Sequence, residues 1–261
     1  MFSRLLRFMR AGKPQSDADV IFTIFTPEKL KALAELATYR TAEPYPHLVM
    51  DDFFEPSALD RLLEEWPDAM RPDLEAHNDG TFVRKKRASS LKTEFGPFTR
   101  RFLHRLGEPD FLQALEEVTG IWGLIPDPYL FGGGIHQTQA GGKLAVHADF
   151  NRHFKLPLDR RLNLLLFLNK AWTEANGGWF EMWDADMKGC VRRVLPTFNR
   201  MAIFSTTDFS FHGQPEEIVG PPDLFRRSIA LYYYSVGRPT HEVSEQGKHS
   251  TLWKERGGRG Y

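Results

Sequence analysis

The spacing of apolar and polar positions divides the chain into two textures. Before about residue 120 the apolar positions recur at helical intervals between breakers. Thr26-Pro27 opens a helix continued by KLKALAELA to about residue 39, with proline at its first position. Glu55-Pro56-Ser57 opens a second through LDRLLEEW, and PFTRRFLHRL and DFLQALEEVTG predict two more, Gly120 closing the last. Between the first two, HLVMDDFF predicts a short buried strand or turn. From about residue 128 the pattern becomes short alternating or apolar runs split by turn residues: YLFGGGIHQTQ, KLAVHAD, RLNLLLFLN, GWFEMWD, CVRRVL, MAIFS, SFHGQ and RSIALYYYS. Eight strands in about 110 residues predict a jelly roll. The fold class expected is therefore mainly β with flanking helices, preceded by an α-helical N-terminal part. We divide the chain into an N-terminal extension and helix, 1–43, and a single domain, 44–261, whose jelly-roll core spans about 128–236.

Two segments resist this pattern. Residues 67–95 are charged and show no alternation, so a solvated loop is expected around Arg84-Lys85-Lys86-Arg87, with a substrate-gripping or lid loop as the sharper reading. The end of the chain, 237–261, carries Trp253 and is expected to pack back on the core.

In KLAVHAD, strand alternation puts Lys143, Ala145, His147 and Asp149 on one face and Leu144, Val146 and Ala148 on the other. An imidazole and a carboxylate side by side can occupy adjacent positions on a metal, and a distant second histidine completes a facial triad of the type that holds non-heme iron. His77-Asn78-Asp79 has the same spacing, but Gly80 follows it in a polar stretch, and it reads as a turn. His212, beyond the apolar run MAIFS, is the natural third ligand. In RRSIALYYYS, Arg226, Ser228, Ala230 and Tyr232 share one face: a cation able to grip a carboxylate, two small residues and a phenol. In RLNLLLFLN, Leu162, Leu164, Leu166 and Leu168 form an apolar face, whereas Arg161, Asn163, Leu165, Phe167 and Asn169 form the other, where a buried Asn163 needs a partner.

The composition adds bounds. The 34 basic and 34 acidic residues balance, so no nucleic-acid partner is expected. Cys190 is the only cysteine, which excludes a disulfide framework and fits a reducing, cytoplasmic compartment. No run approaches a membrane span. The basic start, MFSRLLRFMR, is expected to be a frayed terminus.

The ordered set His147-Ala148-Asp149, RRLNLLLFLNKAW, Gly177-Gly178-Trp179-Phe180-Glu181-Met182-Trp183, Phe211-His212 and Arg226-Arg227-Ser228-Ile229 resembles the Fe(II)- and 2-oxoglutarate-dependent dioxygenases, in particular the prolyl 4-hydroxylase-like superfamily. The resemblance spans about 129–236, and PYPHLVMDDFFEPSALDRLLEEWP is similar to that group's lead-in. It implies a double-stranded β-helix, iron held by His147, Asp149 and His212, and 2-oxoglutarate gripped by Arg226, with Arg227 as the fallback because PEEIVGPPDLF lengthens the preceding gap. It also implies cofactor contacts at Gln139 and Phe167, where relatives carry tyrosine, and we count Asn163 with Gln139 as cofactor-binding. Tyr232, His136 and Gln137 are further pocket candidates. The implied reaction is hydroxylation of an unactivated C–H in a prolyl residue or a small molecule, with dioxygen consumed, succinate and carbon dioxide formed, and ascorbate as a possible reductant. Two other readings stay open: a zinc-dependent hydrolase-like enzyme using the same triad, and a non-catalytic β-sandwich binding protein.

Overall fold

The computed structural model describes residues 23–244 and 250–256. The basic start, and residues 245–249 and 257–261 of the tail, lie outside them. Four α-helices occur among the described residues: α1 (Pro27–Ala34), α2 (Pro56–Glu64), α3 (Pro97–Arg105) and α4 (Pro109–Thr119), each with proline in its first turn. Thr26 caps α1 by accepting from the Lys29 amide at 3.3 Å. Gly120 ends α4 at φ 72°, the left-handed conformation that glycine adopts without strain.

The strands are β1 (His47–Asp51), β2 (Leu74–His77), β3 (Val83–Ser89), β4 (Ile125–Pro126), β5 (Gly134–Ala148), β6 (Asp159–Phe167), β7 (Phe180–Trp183), β8 (Cys190–Val194), β9 (Arg200–Ser205), β10 (His212–Gln214), β11 (Phe225–Ser235) and β12 (Leu252–Trp253). Their path is β1-β9-β6-β11-β5-β10-β7-β8, and all the pairings are antiparallel. The long β5 belongs to both halves of this path. Its first half pairs with β11 and its second with β10, while β3 and β12 take its other edge. The sheet thus curls into a nearly closed jelly roll, the double-stranded β-helix expected.

The two faces of β6 explain how helices and barrel fit together. Leu162, Leu164, Leu166 and Leu168 are buried with Met201, Ile203, Ile229 and Tyr233 beneath the helices, in a core that also takes in Ile24, Phe25 and Leu33 from the N-terminal segment. Phe167, on the opposite face, packs with Phe180, Met182 and Phe204 inside the barrel. Burying each such side chain stabilises the fold by roughly 1.5–3 kcal/mol. Leu164→Ala, at a fully buried position facing the helices, is expected to lower unfolding stability by about 2–5 kcal/mol, read as a fall in the urea midpoint at unchanged slope.

The segment 67–95 corrects the expectation of a loop. It contains a hairpin, β2 and β3, with Glu75 opposite Ala88 and Ala76 opposite Arg87. The Asp79 carboxylate turns it by accepting from the amides of Thr81, Phe82 and Val83, so the turn starts at Asn78, and His77 ends β2. The basic run lies on β3, not on a loop. Its partner is β5, Arg87 facing Gln137 and Lys86 facing Thr138. Cross-strand hydrogen bonds hold these charged residues in a strand that the apolar pattern cannot reveal.

β12 pairs with the end of β5, Trp253 opposite His147, and its indole stacks on Phe82 with ring centroids 4.7 Å apart. The described part of the tail, 250–256, packs back on β5. No helix among the described residues is long and apolar enough to cross a membrane.

Candidate active site

His147 and Asp149 come from the end of β5 and its exit, and His212 opens β10, where it pairs directly with His147. One ligand atom from each of the three lies within 4.8 Å of the others. Nε2 of His147 is 3.5 Å from Asp149 Oδ1, and Nε2 of His212 is 3.3 Å from Oδ2. Gly213 permits this approach: a Cβ there would fall 2.9 Å from the Ala145 carbonyl oxygen.

The surroundings fix the protonation and aim of each group. Nδ1 of His147 faces the Ala145 carbonyl at 2.9 Å, and Nδ1 of His212 faces the Ser210 carbonyl at 2.9 Å. A carbonyl only accepts, so each Nδ1 carries a hydrogen and each Nε2 faces inward toward Asp149. Burial holds His147 below its usual pKa, which keeps the imidazole neutral. Burial alone would raise the pKa of Asp149; Arg160, then His212 and His147, more than offset this and hold it well below the carboxylate range. Asp149 Oδ2 accepts from Arg160 Nη2 at 3.0 Å and from Asn163 Nδ2 at 2.6 Å.

Arg160 was not legible in the sequence. Alternation assigns Arg161 to the face of Asn163, but one extra residue in β6 breaks the register: Tyr233 pairs with Leu162 and Tyr234 with Arg160. This bulge turns Arg160 into the barrel. Its guanidinium lies over the Tyr232 ring, 3.4 Å from the centroid, and its Nε donates to Asn163 Oδ1 at 2.8 Å. Arg161 instead bonds Ser235 and Glu242. A second bulge, in β5, brings Leu144 to the face of His147: His212 pairs with His147, but Gln214 pairs with Leu144. Alternation had separated the two.

The triad opens into a cavity of about 90 Å³. Arg226, Ser228, Ala230 and Tyr232 line it, as alternation along β11 predicts. Arg226 is buried and donates from Nε to the Gly178 carbonyl at 2.8 Å, so the Gly177-Gly178 turn sits against its side chain. Among the described residues no carboxylate lies within ion-pair distance of it, and burial lowers its pKa to about 10. Arg227 faces the other side of the sheet. So do Gln137 and Gln139; Gln139 donates to the Pro222 carbonyl at 2.6 Å. Gln139 is therefore corrected as a cofactor contact: Thr138, its neighbour on β5, faces the cavity in its place. Asn163 lines the cavity, but both ends of its amide bond protein, Oδ1 accepting from Arg160 and Nδ2 donating to Asp149. From within the cavity it positions the carboxylate. Phe167 lies under Arg226, ring centroid to guanidinium 4.9 Å. Asn163→Ala is expected to weaken metal affinity by about 10–100-fold, measured by Mn(II) titration.

Lys86 and His136, with His147, Asp149 and Tyr232, line both this cavity and an outer cleft of about 740 Å³. Phe131, Phe150 and Trp253 form the cleft's aromatic walls. Burial lowers the Lys86 pKa to about 8, with Asp149 opposing the shift and Arg226 and Arg160 adding to it.

Two imidazoles and one carboxylate, each oriented from behind, are the donor set of a non-heme iron site. A buried guanidinium with no carboxylate partner, facing the same cavity across two small residues, suits the far end of a dicarboxylate. The residues present fit both groups.

Known proteins agree with this geometry. Residues 133–234 match the family described as the 2OG-Fe(II) oxygenase superfamily. A mouse protein, prolyl 3-hydroxylase OGFOD1, is 26% identical over 250 residues, taking in 89% of this chain and 43% of that protein. The chain thus spans less than half of that relative's length. Among solved structures, a Trichoplax adhaerens prolyl hydroxylase bound to a peptide of hypoxia inducible factor is similar at TM-score 0.57 and 15% identity, covering 80% of this chain and 91% of that one. A Pseudomonas putida prolyl-4-hydroxylase gives TM-score 0.53 and 16% identity, covering 78% and 98%. HygX from Streptomyces hygroscopicus, with nickel, 2-oxoglutarate and hygromycin B bound, gives 0.50 and 12%, covering 88% and 98%. These three share the fold. The His147, Asp149 and His212 cluster and the jelly roll that carries it thus lie within, or frame, the stretch 133–234 that is similar to the 2OG-Fe(II) oxygenase superfamily.

Proposed function

We propose that the chain is an Fe(II)- and 2-oxoglutarate-dependent dioxygenase that hydroxylates an unactivated C–H bond. The observation that carries the reading is the pairing, in one cavity, of an inward-facing His147, Asp149, His212 triad with the unpaired guanidinium of Arg226. Bound there, Fe(II) and 2-oxoglutarate supply the oxidising chemistry, consuming dioxygen and yielding succinate and carbon dioxide with the hydroxylated product. The protein positions these groups. His147, Asp149 and His212 hold the metal through Nε2, carboxylate oxygen and Nε2. Arg160 and Asn163 keep Asp149 ionised and aimed. Arg226 grips the far carboxylate of the ketoacid, so the ketoacid enters in one orientation. Tyr232 donates to the Gly132 carbonyl at 2.6 Å and shapes the wall between cavity and cleft. A zinc hydrolase or a non-catalytic sandwich leaves the isolated Arg226 without a task.

The outer cleft is the substrate channel, and a prolyl residue in a polypeptide is the substrate class we favour. The mouse relative carries that activity in its name, and an aromatic-walled cleft of about 740 Å³ suits a ring on an extended chain. The test has two arms. 2-Oxoglutarate should raise the melting temperature only when Fe(II) or Mn(II) is present, and iron-loaded protein should release succinate from it. Failure of both sinks the oxygenase reading. Proline-containing peptides should then gain one oxygen by mass; if they do not and small molecules do, only the substrate class falls.

A further inference from the structure

On the reverse face of β3, β5 and β11 lies a second cleft, of about 830 Å³. Arg87, Gln137 and Arg227 form a single rung across these strands: Arg87 pairs with Gln137, and Gln137 pairs with Arg227. All three line the cleft, with Trp66, Phe225 and Met70 among its apolar walls. Paired side chains on one face stand within reach of a shared ligand.

The rung is short of acceptors. Gln137 is 2% exposed, and its Oε1 accepts from Trp66 Nε1 at 3.2 Å. An indole N–H only donates, so this bond fixes the amide and leaves Nε2, with two hydrogens, facing no partner. The buried Nε of Arg227 also lacks one. Among the described residues no carboxylate pairs with Arg87 or Arg227. Arg87 reaches only the Met70 sulfur, at 3.8 Å, and the cleft's own carboxylates, Asp68 and Asp223, pair with neither guanidinium. Two half-buried guanidiniums on either side of Gln137, without a counter-charge, leave donors for a ligand to use.

We propose that this cleft is an oxyanion site that takes a phosphate monoester carried on an apolar or aromatic body. The unmet donors come from three adjacent strands, spread over roughly 9–10 Å at the usual strand spacing. A carboxylate offers two oxygens in one plane; a phosphate offers three in a tetrahedron and nearly two charges, and can engage all three strands. Trp66 and Phe225 supply the wall for the organic body. The cleft shares one lining residue, Lys86, with the triad cavity, and the proposal does not depend on the oxygenase reading.

The test is calorimetric titration of the full chain with phenyl phosphate, inorganic phosphate and benzoate. Wild type should bind phenyl phosphate most tightly, inorganic phosphate more weakly and benzoate least. Arg227→Met and Arg87→Met should each weaken phenyl phosphate roughly ten- to hundredfold. Both should melt at or above the wild-type temperature, since each removes an unpaired cation. The half-buried Arg87, on a strand off the main path of the sheet, serves as the milder variant. Three results would overturn the proposal: no wild-type binding up to about 10 mM, where affinity no longer marks a site; folded variants that bind like wild type; or benzoate binding more tightly than phenyl phosphate.

Discussion

His212→Ala is expected to abolish metal-dependent 2-oxoglutarate binding and to reduce succinate release more than about a hundredfold, beyond the loss typical of an outer-sphere partner. His212 is the member of the cluster contributed by the second half of the barrel. Without it, His147 and Asp149 remain on one strand and hold a metal from one side only. The substitution deletes a side chain packed near Phe180 and Phe204, so some loss of stability is expected as well. The two effects separate cleanly. Metal-free His212→Ala should still unfold cooperatively, whereas Mn(II) with 2-oxoglutarate should no longer shift its melting temperature. A variant that keeps that shift would remove His212 from the metal site.

Arg226→Leu carries the second large effect. A guanidinium gripping a carboxylate through two charge-assisted hydrogen bonds contributes about 1.5–3 kcal/mol per bond. Losing it should raise the KM for 2-oxoglutarate by about a hundredfold or more. Mn(II) affinity without the ketoacid should hold, because no triad residue bonds Arg226. Stability of the metal-free protein should also hold or rise, since a buried cation with a single carbonyl acceptor, Gly178, is replaced by an apolar side chain. Arg226→Lys should restore part of the affinity, as a point charge replaces a fork. If Arg227→Leu raised the KM instead, β11 would present the opposite face to the cofactor.

These expectations rest on features of unequal legibility. Alternation along β11 put Arg226, Ser228, Ala230 and Tyr232 on one face, and the structure keeps all four in the cavity because the strand is regular there. Alternation along β6 found the leucine face that the helices cover. It failed at Arg160, where one inserted residue reverses the faces, and at Leu144, for the same reason in β5. It gave no sign of β3, because a strand between two open clefts has no apolar face to display. Gln139 was assigned from resemblance, and its register against Phe225 turns it away from the triad.

The sequence by itself determined the helix caps, the strand-rich second half, the two faces of regular strands and the His147, Asp149 and His212 set. Each depends on local geometry or on residue order, and both survive in a one-dimensional string. Only the tertiary structure decided which residues stand behind the site. Arg160 and Asn163 orient Asp149, Lys86 lies between cavity and cleft, and Trp253 comes back to β5. Bulges and long-range pairing set those positions. A bulge costs the chain one residue and leaves no mark in the hydrophobic pattern, yet it reverses every side chain beyond it.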